Sequence, residues 1–180
     1  MDKLKKIYDD ILIISKNNHP LDLESAIFIC HLIEQYNLKQ CLEIGTGYGY
    51  SSLFFAVNSQ LEVIDTVDKS KDCINYARKQ NFTKKINYFC EDIFKWNPEK
   101  KYDLIFVDGP KSNQEIIFEK LVHFLDKNGL IIVDNMFLKR VKNNKILEKT
   151  SNFKKYLLSL KVFDVSIVNI GDGLAIIKRK

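Results

Sequence analysis

The sequence predicts an α/β fold: a seven-stranded, mostly parallel, doubly wound sheet with helices on both faces and a last strand running against the rest. Three observations carry this. Short apolar runs alternate with amphipathic segments from about residue 41 to residue 133. A glycine-rich turn, GTGYG at 45–49, follows the first run directly. The closing stretch KVFDVSIVNIGDGLAIIKR reads as two strands folded around Gly-Asp-Gly. Alternating strand and helix signals imply a parallel sheet with right-handed crossovers. A glycine-centred reversal between two strands implies an antiparallel hairpin.

The elements follow in order. Leu4, Ile7, Ile11 and Ile14 share one face of a helix over 2–16. A second helix over 22–37 turns Ala26, Ile29, Cys30 and Ile33 inward. The strands are CLEI at 41–44, EVIDTV at 62–67, INYFC at 86–90, DLIFV at 103–107 and LIIV at 130–133. Helices over 49–57, 70–80 and 112–126 lie between them, and one at about 144–160 precedes the hairpin. No repeat, linker or break in composition divides the 180 residues. One domain is therefore expected over 1–180, with 1–37 as its N-terminal helices.

Hydrophobic residues make up 46% of the chain, which fits a globular protein and excludes a disordered tail. No apolar run approaches about 18 residues, and MDKLKKIYDD is charged and amphipathic, so neither a membrane span nor a signal peptide is expected. Cys30, Cys41, Cys73 and Cys90 form no C-x-x-C pair and mostly sit among apolar residues. They read as reduced thiols of a cytoplasmic protein. The net charge of +5 is compatible with a polyanionic partner without demanding one.

In an open parallel sheet, ligands sit outside the carboxyl ends of the strands, where strand order reverses. The stretch LEIGTGYGYS at 42–51 lies at that point. Gly45, Gly47 and Gly49 let the backbone approach a ligand, and amides opening the next helix can donate to it. Dinucleotide sites use G-x-G-x-x-G; here the spacing is G-x-G-x-G, with Glu43 two residues upstream. An acid there would repel a pyrophosphate and suits the ammonium or ribose hydroxyls of S-adenosylmethionine. The turn alone would also serve as a plain reversal. Asp68, about 20 residues further on at the second strand end, is placed to accept from both ribose hydroxyls. Glu91-Asp92 follows the third strand; Asp92 suits the adenine amine, and Cys90 or Phe89 the ring. The cofactor set is Glu43, Gly45, Thr46, Gly47, Tyr48, Ser51, Asp68, Cys90, Glu91, Asp92 and Asp108.

A second constellation closes the fourth and fifth strands. YDLIFVDGPK ends in Asp108, and GLIIVDN ends in Asp134 and Asn135. On neighbouring strands these three reach one edge of the sheet. Two carboxylates and an amide oxygen are hard ligands suited to Mg²⁺, and no His or Cys accompanies them to suggest zinc. Lys111 stands three residues beyond Asp108. Beside a divalent cation and a cationic cofactor its pKa should fall, which suits a general base. The alternative is an ordinary surface lysine.

Together, LEIGTGYGYS, TVDKS, YDLIFVDGPK, GLIIVDN and the DGL at 172–174 resemble the Mg²⁺- and S-adenosylmethionine-dependent O-methyltransferases of the catechol O-methyltransferase type. The resemblance runs from about residue 22 to the last residue. It implies a Rossmann-like class I methyltransferase with strand order 3-2-1-4-5-7-6. It implies that Glu43, Gly45, Ser51, Asp68 and Asp92 hold the cofactor. Asp108, Asp134 and Asn135 would hold Mg²⁺, and Lys111 would be the base. Asp92 stands where the family also uses a small hydroxyl residue. Family members are often dimers, and the N-terminal helix is the expected interface.

Two substrate classes stay open. Small-molecule members of the family act on catechols and related phenols. A bacterial subgroup methylates 5-hydroxyuridine at the tRNA wobble position, which also presents vicinal oxygens. After Asn135 the chain carries Lys139, Arg140, Lys142, Lys145, Lys149, Lys154 and Lys155 against the single acid Glu148. Such a rim could track phosphates around a flipped base, with Phe137 or Tyr48 stacking on it, and Lys139, Arg140 and Lys142 are the candidate RNA contacts. The same charges also suit a solvated helix. The expectation leans towards the tRNA anticodon. A non-catalytic binding module would need neither the base nor the paired acids, and a nicotinamide enzyme would need another glycine spacing.

Overall fold

The computed structural model describes residues 2–15, 20–138 and 141–180. Two helices come first, α1 (Asp2–Ile14) and α2 (Leu23–Gln35). Asp22 caps α2, its carboxylate accepting from the Ser25 amide and hydroxyl at 2.9 Å each. The alternating part follows: β1 (Gln40–Ile44), α3 (Tyr50–Asn58), β2 (Val63–Asp68), α4 (Lys71–Gln80) and β3 (Ile86–Cys90). Then come β4 (Tyr102–Val107), α5 (Gln114–Leu121), β5 (Leu125–Asp134) and α6 (Asn144–Ser159). The hairpin β6 (Phe163–Val168) and β7 (Leu174–Arg179) closes the sheet.

The strand order is β3-β2-β1-β4-β5-β7-β6. β1 pairs in parallel with both β2 and β4, β2 with β3, and β4 with β5. β7 runs antiparallel to β5 and β6, so it alone opposes the others. The expected order and the reversed last strand are both present. From β1 the chain winds outward to β3, then returns to β4 on the other side. The switch point therefore lies between β1 and β4, and a crevice opens over their carboxyl ends.

Alternation along β1 divides the core. Cys41 faces one apolar layer, which Leu53 and Phe55 of α3 and Ile29 and Ile33 of α2 fill. Leu42 and Ile44 face the other, built on Ile117 and Phe118 of α5 and Phe153 and Leu157 of α6. In that second layer the Phe118 ring meets those of Phe153, Tyr156 and Phe163 at 6.0–6.4 Å. At the opposite edge of the sheet, the Asp103 carboxylate accepts the Lys39 and Gln40 amides at 2.8 Å each, which sets β1 against β4.

One element differs from its expectation. The helix expected over 112–126 is a 3-10 turn at Lys111–Asn113, the short α5, and a second 3-10 turn at Val122–Phe124. β5 then starts at Leu125, well ahead of the apolar run at 130–133. Its first stretch carries exposed Asp126, Lys127 and Asn128, so apolar patterning hides it. The register with β4 shifts between Tyr102 and Leu104. Beside that shift, a Cβ on Gly129 would stand 2.7 Å from the Asp103 carbonyl oxygen, so only glycine fits. All four cysteines are free thiols, and among the described residues no helix is long and apolar enough to cross a membrane.

Candidate active site

A cavity of about 1000 Å³ lies over the carboxyl ends of the strands. Its floor is the turn between β1 and α3. Gly45 has φ +100°, and a Cβ there would collide with the Asp108 carbonyl oxygen. Gly49 has φ +86°, and a Cβ there would stand 2.7 Å from that of Ala77. Both positions need glycine, for backbone angle and for space together. The turn is tied sideways to β2: the Gly47 amide donates to Asp68 Oδ2 at 3.0 Å. Asp68 Oδ1 accepts the Ser70 amide at 2.8 Å, at the start of α4. Each carboxylate oxygen has a second lone pair, so Asp68 can still accept from ribose hydroxyls in the cavity it lines.

Glu43 lies elsewhere than expected. It is 0% exposed and sits beneath the turn rather than in the cavity. Its carboxylate accepts the Ser51 and Thr66 hydroxyls at 2.5 Å each, and that of Ser52 as well. Alternation in β1 puts Glu43 on the α3 side, where the two serines open that helix. Burial pushes its carboxyl above the ordinary value, and the three hydroxyls pull it back down. Glu43 is thus a bracket joining β1, α3 and β2, with Ser51 as its partner at the cavity wall. Thr46, also in the wall, pairs its hydroxyl with that of Thr66 at 2.6 Å.

At the far end, Glu91 and Asp92 line the cavity, as does Tyr48 beside the turn. Tyr48 stands edge-on to Tyr76 at 5.3 Å. Cys90 is exposed and outside the cavity, and Phe89 turns away to pack on Trp96 at 5.3 Å. The apolar wall expected from them comes instead from Ile93 and Phe94. The Asp92 carboxylate accepts the Phe94 amide at 3.0 Å, which folds that segment over the cavity.

Asp108, Asp134 and Asn135 line the same cavity beyond Gly45. Asn135 has φ +67°, a left-handed turn that asparagine tolerates. Its amide donates to Asp134 Oδ1 at 2.6 Å. Burial, and then Asp134, hold the Asp108 carboxyl well above the usual range. Burial pushes Asp134 up to about 7, with Asp22 and Asp172 adding to it and the Asn135 amide and Lys111 opposing it. Acids crowded into one wall, each raised by burial and by other acids nearby, form a set whose charge a cation would balance. Among the described residues no group of three His, Cys, Asp or Glu side chains is arranged to hold a metal. The donor set here is two carboxylates and an amide oxygen, which suits Mg²⁺. Lys111 lies in the same wall. Its charged protein neighbours are these carboxylates; the cations expected to act on it belong to ligands.

A family model described as O-methyltransferase matches residues 4–180. The chain belongs to the O-methyltransferase family. A malonyl-[acyl-carrier protein] O-methyltransferase 2 from Ilyobacter polytropus is 36% identical over 131 residues, 71% of this chain. That match spans 48% of the relative, so this chain corresponds to about half its length. A crystal structure of a candidate caffeoyl-CoA O-methyltransferase from Staphylococcus aureus superposes with a TM-score of 0.87 at 25% identity, covering 98% of this chain and 92% of that one. The S-adenosylhomocysteine-bound methyltransferase PaMTH1 of Podospora anserina shares the fold, with a TM-score of 0.87 at 19% identity over 100% of this chain and 88% of that one.

In this O-methyltransferase family member the basic segment is only partly in view. Lys139 and Arg140 lie outside the described residues. Lys142 is exposed, as are Lys145, Lys149 and Lys155, while Lys154 sits 5.0 Å over the Phe137 ring. Val141 and Ile146 reach the cavity, so this segment borders its mouth. Sequence reasoning missed the roof, where Ile11, Leu21 and Asp22 line the opposite wall together with Asp172 of the hairpin turn. In the sequence Ile11 stands out as a helix-face residue and Asp22 as the start of the second helix, and neither hints at the hairpin beside them.

Proposed function

We propose that this chain transfers a methyl group from S-adenosylmethionine to a hydroxyl that has a vicinal oxygen, with a divalent cation at Asp108, Asp134 and Asn135. The observation that carries this is the single cavity: the glycine turn with Asp68 forms one half and the acid pair with Lys111 the other. The family membership and the S-adenosylhomocysteine in the Podospora relative support the choice of cofactor. Asp68 would take the ribose hydroxyls, and Ile93 and Phe94 would flank the adenine. When bound, the cation supplies charge that favours the ionised form of a chelated hydroxyl. Lys111 Nζ accepts the hydroxyl proton, and the walls hold acceptor oxygen and donor methyl in line.

For the substrate we infer 5-hydroxyuridine at the tRNA wobble position, giving 5-methoxyuridine. Support comes from α6 and the segment before it, which line the mouth through Val141 and Ile146 and expose Lys142, Lys145 and Lys149. The second reading is a small catechol or phenol, favoured by the caffeoyl-CoA description of the Staphylococcus relative. Mass spectrometry of tRNA nucleosides from a strain lacking the protein decides between them. Accumulated 5-hydroxyuridine is the expected result, and unchanged 5-methoxyuridine would discard the RNA reading. In vitro, Lys142→Glu with Lys145→Glu should weaken tRNA binding and flatten its salt dependence by about one unit of slope per lost phosphate contact, leaving catechol turnover unchanged. In the same reading the chain is a homodimer, and the exposed Leu12, Ile13 and Ile14 closing α1 belong to its contact. Light scattering on the purified protein tests this.

A further inference from the structure

We propose that Gln114 is a positioning residue that locks the segment carrying Lys111 onto the turn carrying Asp134 and Asn135. This rests on reading those two residues as cation ligands. Gln114 opens α5, three residues after Lys111, and is 2% exposed. Its Nε2 donates to the Asp134 carbonyl oxygen at 2.7 Å, in a buried bond. That acceptor fixes the amide's orientation, since a carbonyl can only receive a donor. Oε1 must then point away, and it is buried without a hydrogen-bond partner among the described residues. An unsatisfied buried oxygen is destabilising. An apolar residue of like volume would avoid that cost, but it would lose the donor to Asp134.

The other bonds of the turn run elsewhere. Asn135 donates to Asp134 Oδ1, Met136 to the Gly173 carbonyl at 2.9 Å, and Phe137 to the Asp172 carbonyl at 2.8 Å. These tie the turn to itself and to the closing hairpin. Among the described residues, Gln114 makes the side-chain hydrogen bond that joins the turn to the Lys111 segment. On its far side that segment is held by Lys149 of α6, whose Nζ donates to the Ser112 carbonyl at 3.2 Å in an exposed bond. The buried strut therefore sets where Lys111 stands relative to the cation ligands, and groups that orient ligands in this way matter for affinity as well as turnover.

The test uses Mn²⁺ as the probe, with its binding read by electron paramagnetic resonance on the full chain. Gln114→Met keeps the volume and removes the donor. It should weaken Mn²⁺ binding by roughly 10- to 100-fold and lower kcat, while S-adenosylhomocysteine affinity stays within about twofold. Thr150→Val removes another buried unpartnered hydroxyl, on α6, and should leave all three readings unchanged. If Gln114→Met does not fold, Gln114→Ser is read in its place. Mn²⁺ affinity and kcat both within twofold of the parent would overturn the inference, as would equal losses in Thr150→Val. Asp134→Ala separates the two levels. If it leaves Mn²⁺ binding intact, the cation reading itself falls; if it abolishes binding while Gln114→Met does not alter it, only the strut falls.

Discussion

Glu43 and the pair Asp108–Asp134 are all acids near the carboxyl edge of one sheet, yet their surroundings treat them in opposite ways. Glu43 lies inside a strand and faces hydroxyls from α3 and β2 that satisfy its carboxylate. Asp108 follows β4 and Asp134 closes β5, where the side chains leave the ladder and meet each other's charge. A buried acid with three donors is a structural joint. Two acids facing one cavity, both raised by their surroundings, form the site that the proposed cation would complete. The same residue type thus serves scaffold or chemistry according to its distance from the strand end.

This contrast can be broken in order of expected effect. Asp108→Ala or Asp134→Ala should abolish divalent-dependent methyl transfer while S-adenosylhomocysteine affinity, read by calorimetry, holds within a few-fold. Full turnover in excess chelator would remove the cation from the picture. Lys111→Ala should lower kcat by about 10²- to 10⁴-fold with little change in substrate binding, and an unaltered pH–rate profile would argue against its acting as the base. Glu43→Ala should act on the fold. It strands buried hydroxyls that cost about 1–3 kcal/mol each when unpaired, so urea unfolding should show a loss of roughly 3 kcal/mol or more. If Glu43→Ala instead kept full stability and lost only cofactor binding, the joint would be a ligand contact after all.

The smallest effect is a pH dependence. Asp134 sits at about 7 in the fold, against about 4 in an unfolded chain. Between those values the folded protein keeps a proton that the unfolded chain has released. Stability of the cation-free protein should therefore fall as pH rises from about 4 through 7. Added Mg²⁺ should then raise the melting temperature more at about pH 8 than at about pH 5, because it binds the ionised acids. An equal rise at both values would mean that the acids do not meet the ion.

Much of this was legible in the chain because strand ends announce themselves. GTGYG, Asp68, Asp108 and Asp134 each stop an apolar run, and all four places line the cavity. Glu43 was legible as an acid at the right spot and was misread in direction. Counting alternate residues from Cys41 would have turned it towards Ser51 and Ser52. Ile93 and Phe94 were hidden for another reason: they follow an acid pair in a connection without helix or strand, where no periodicity marks a wall. The early start of β5 was hidden by exposed polar residues, and the roof over the cavity by its assembly from a helix cap and a distant hairpin. Gln114 left no trace either, since a lone amide in a helix start says nothing about the carbonyl it will meet.

The close pass of Gly45 by the Asp108 carbonyl has a consequence for how this protein can change. At Gly45 the loop that would cradle the donor passes directly against the main chain of Asp108 and Gly109, at the end of the strand that would hold the ion. A single methyl added at Gly45 would shove the end of β4 and carry the Asp108 carboxylate with it. Drift on either half is thus felt by the other at once, and the gap between the two reacting partners is inherited as one unit.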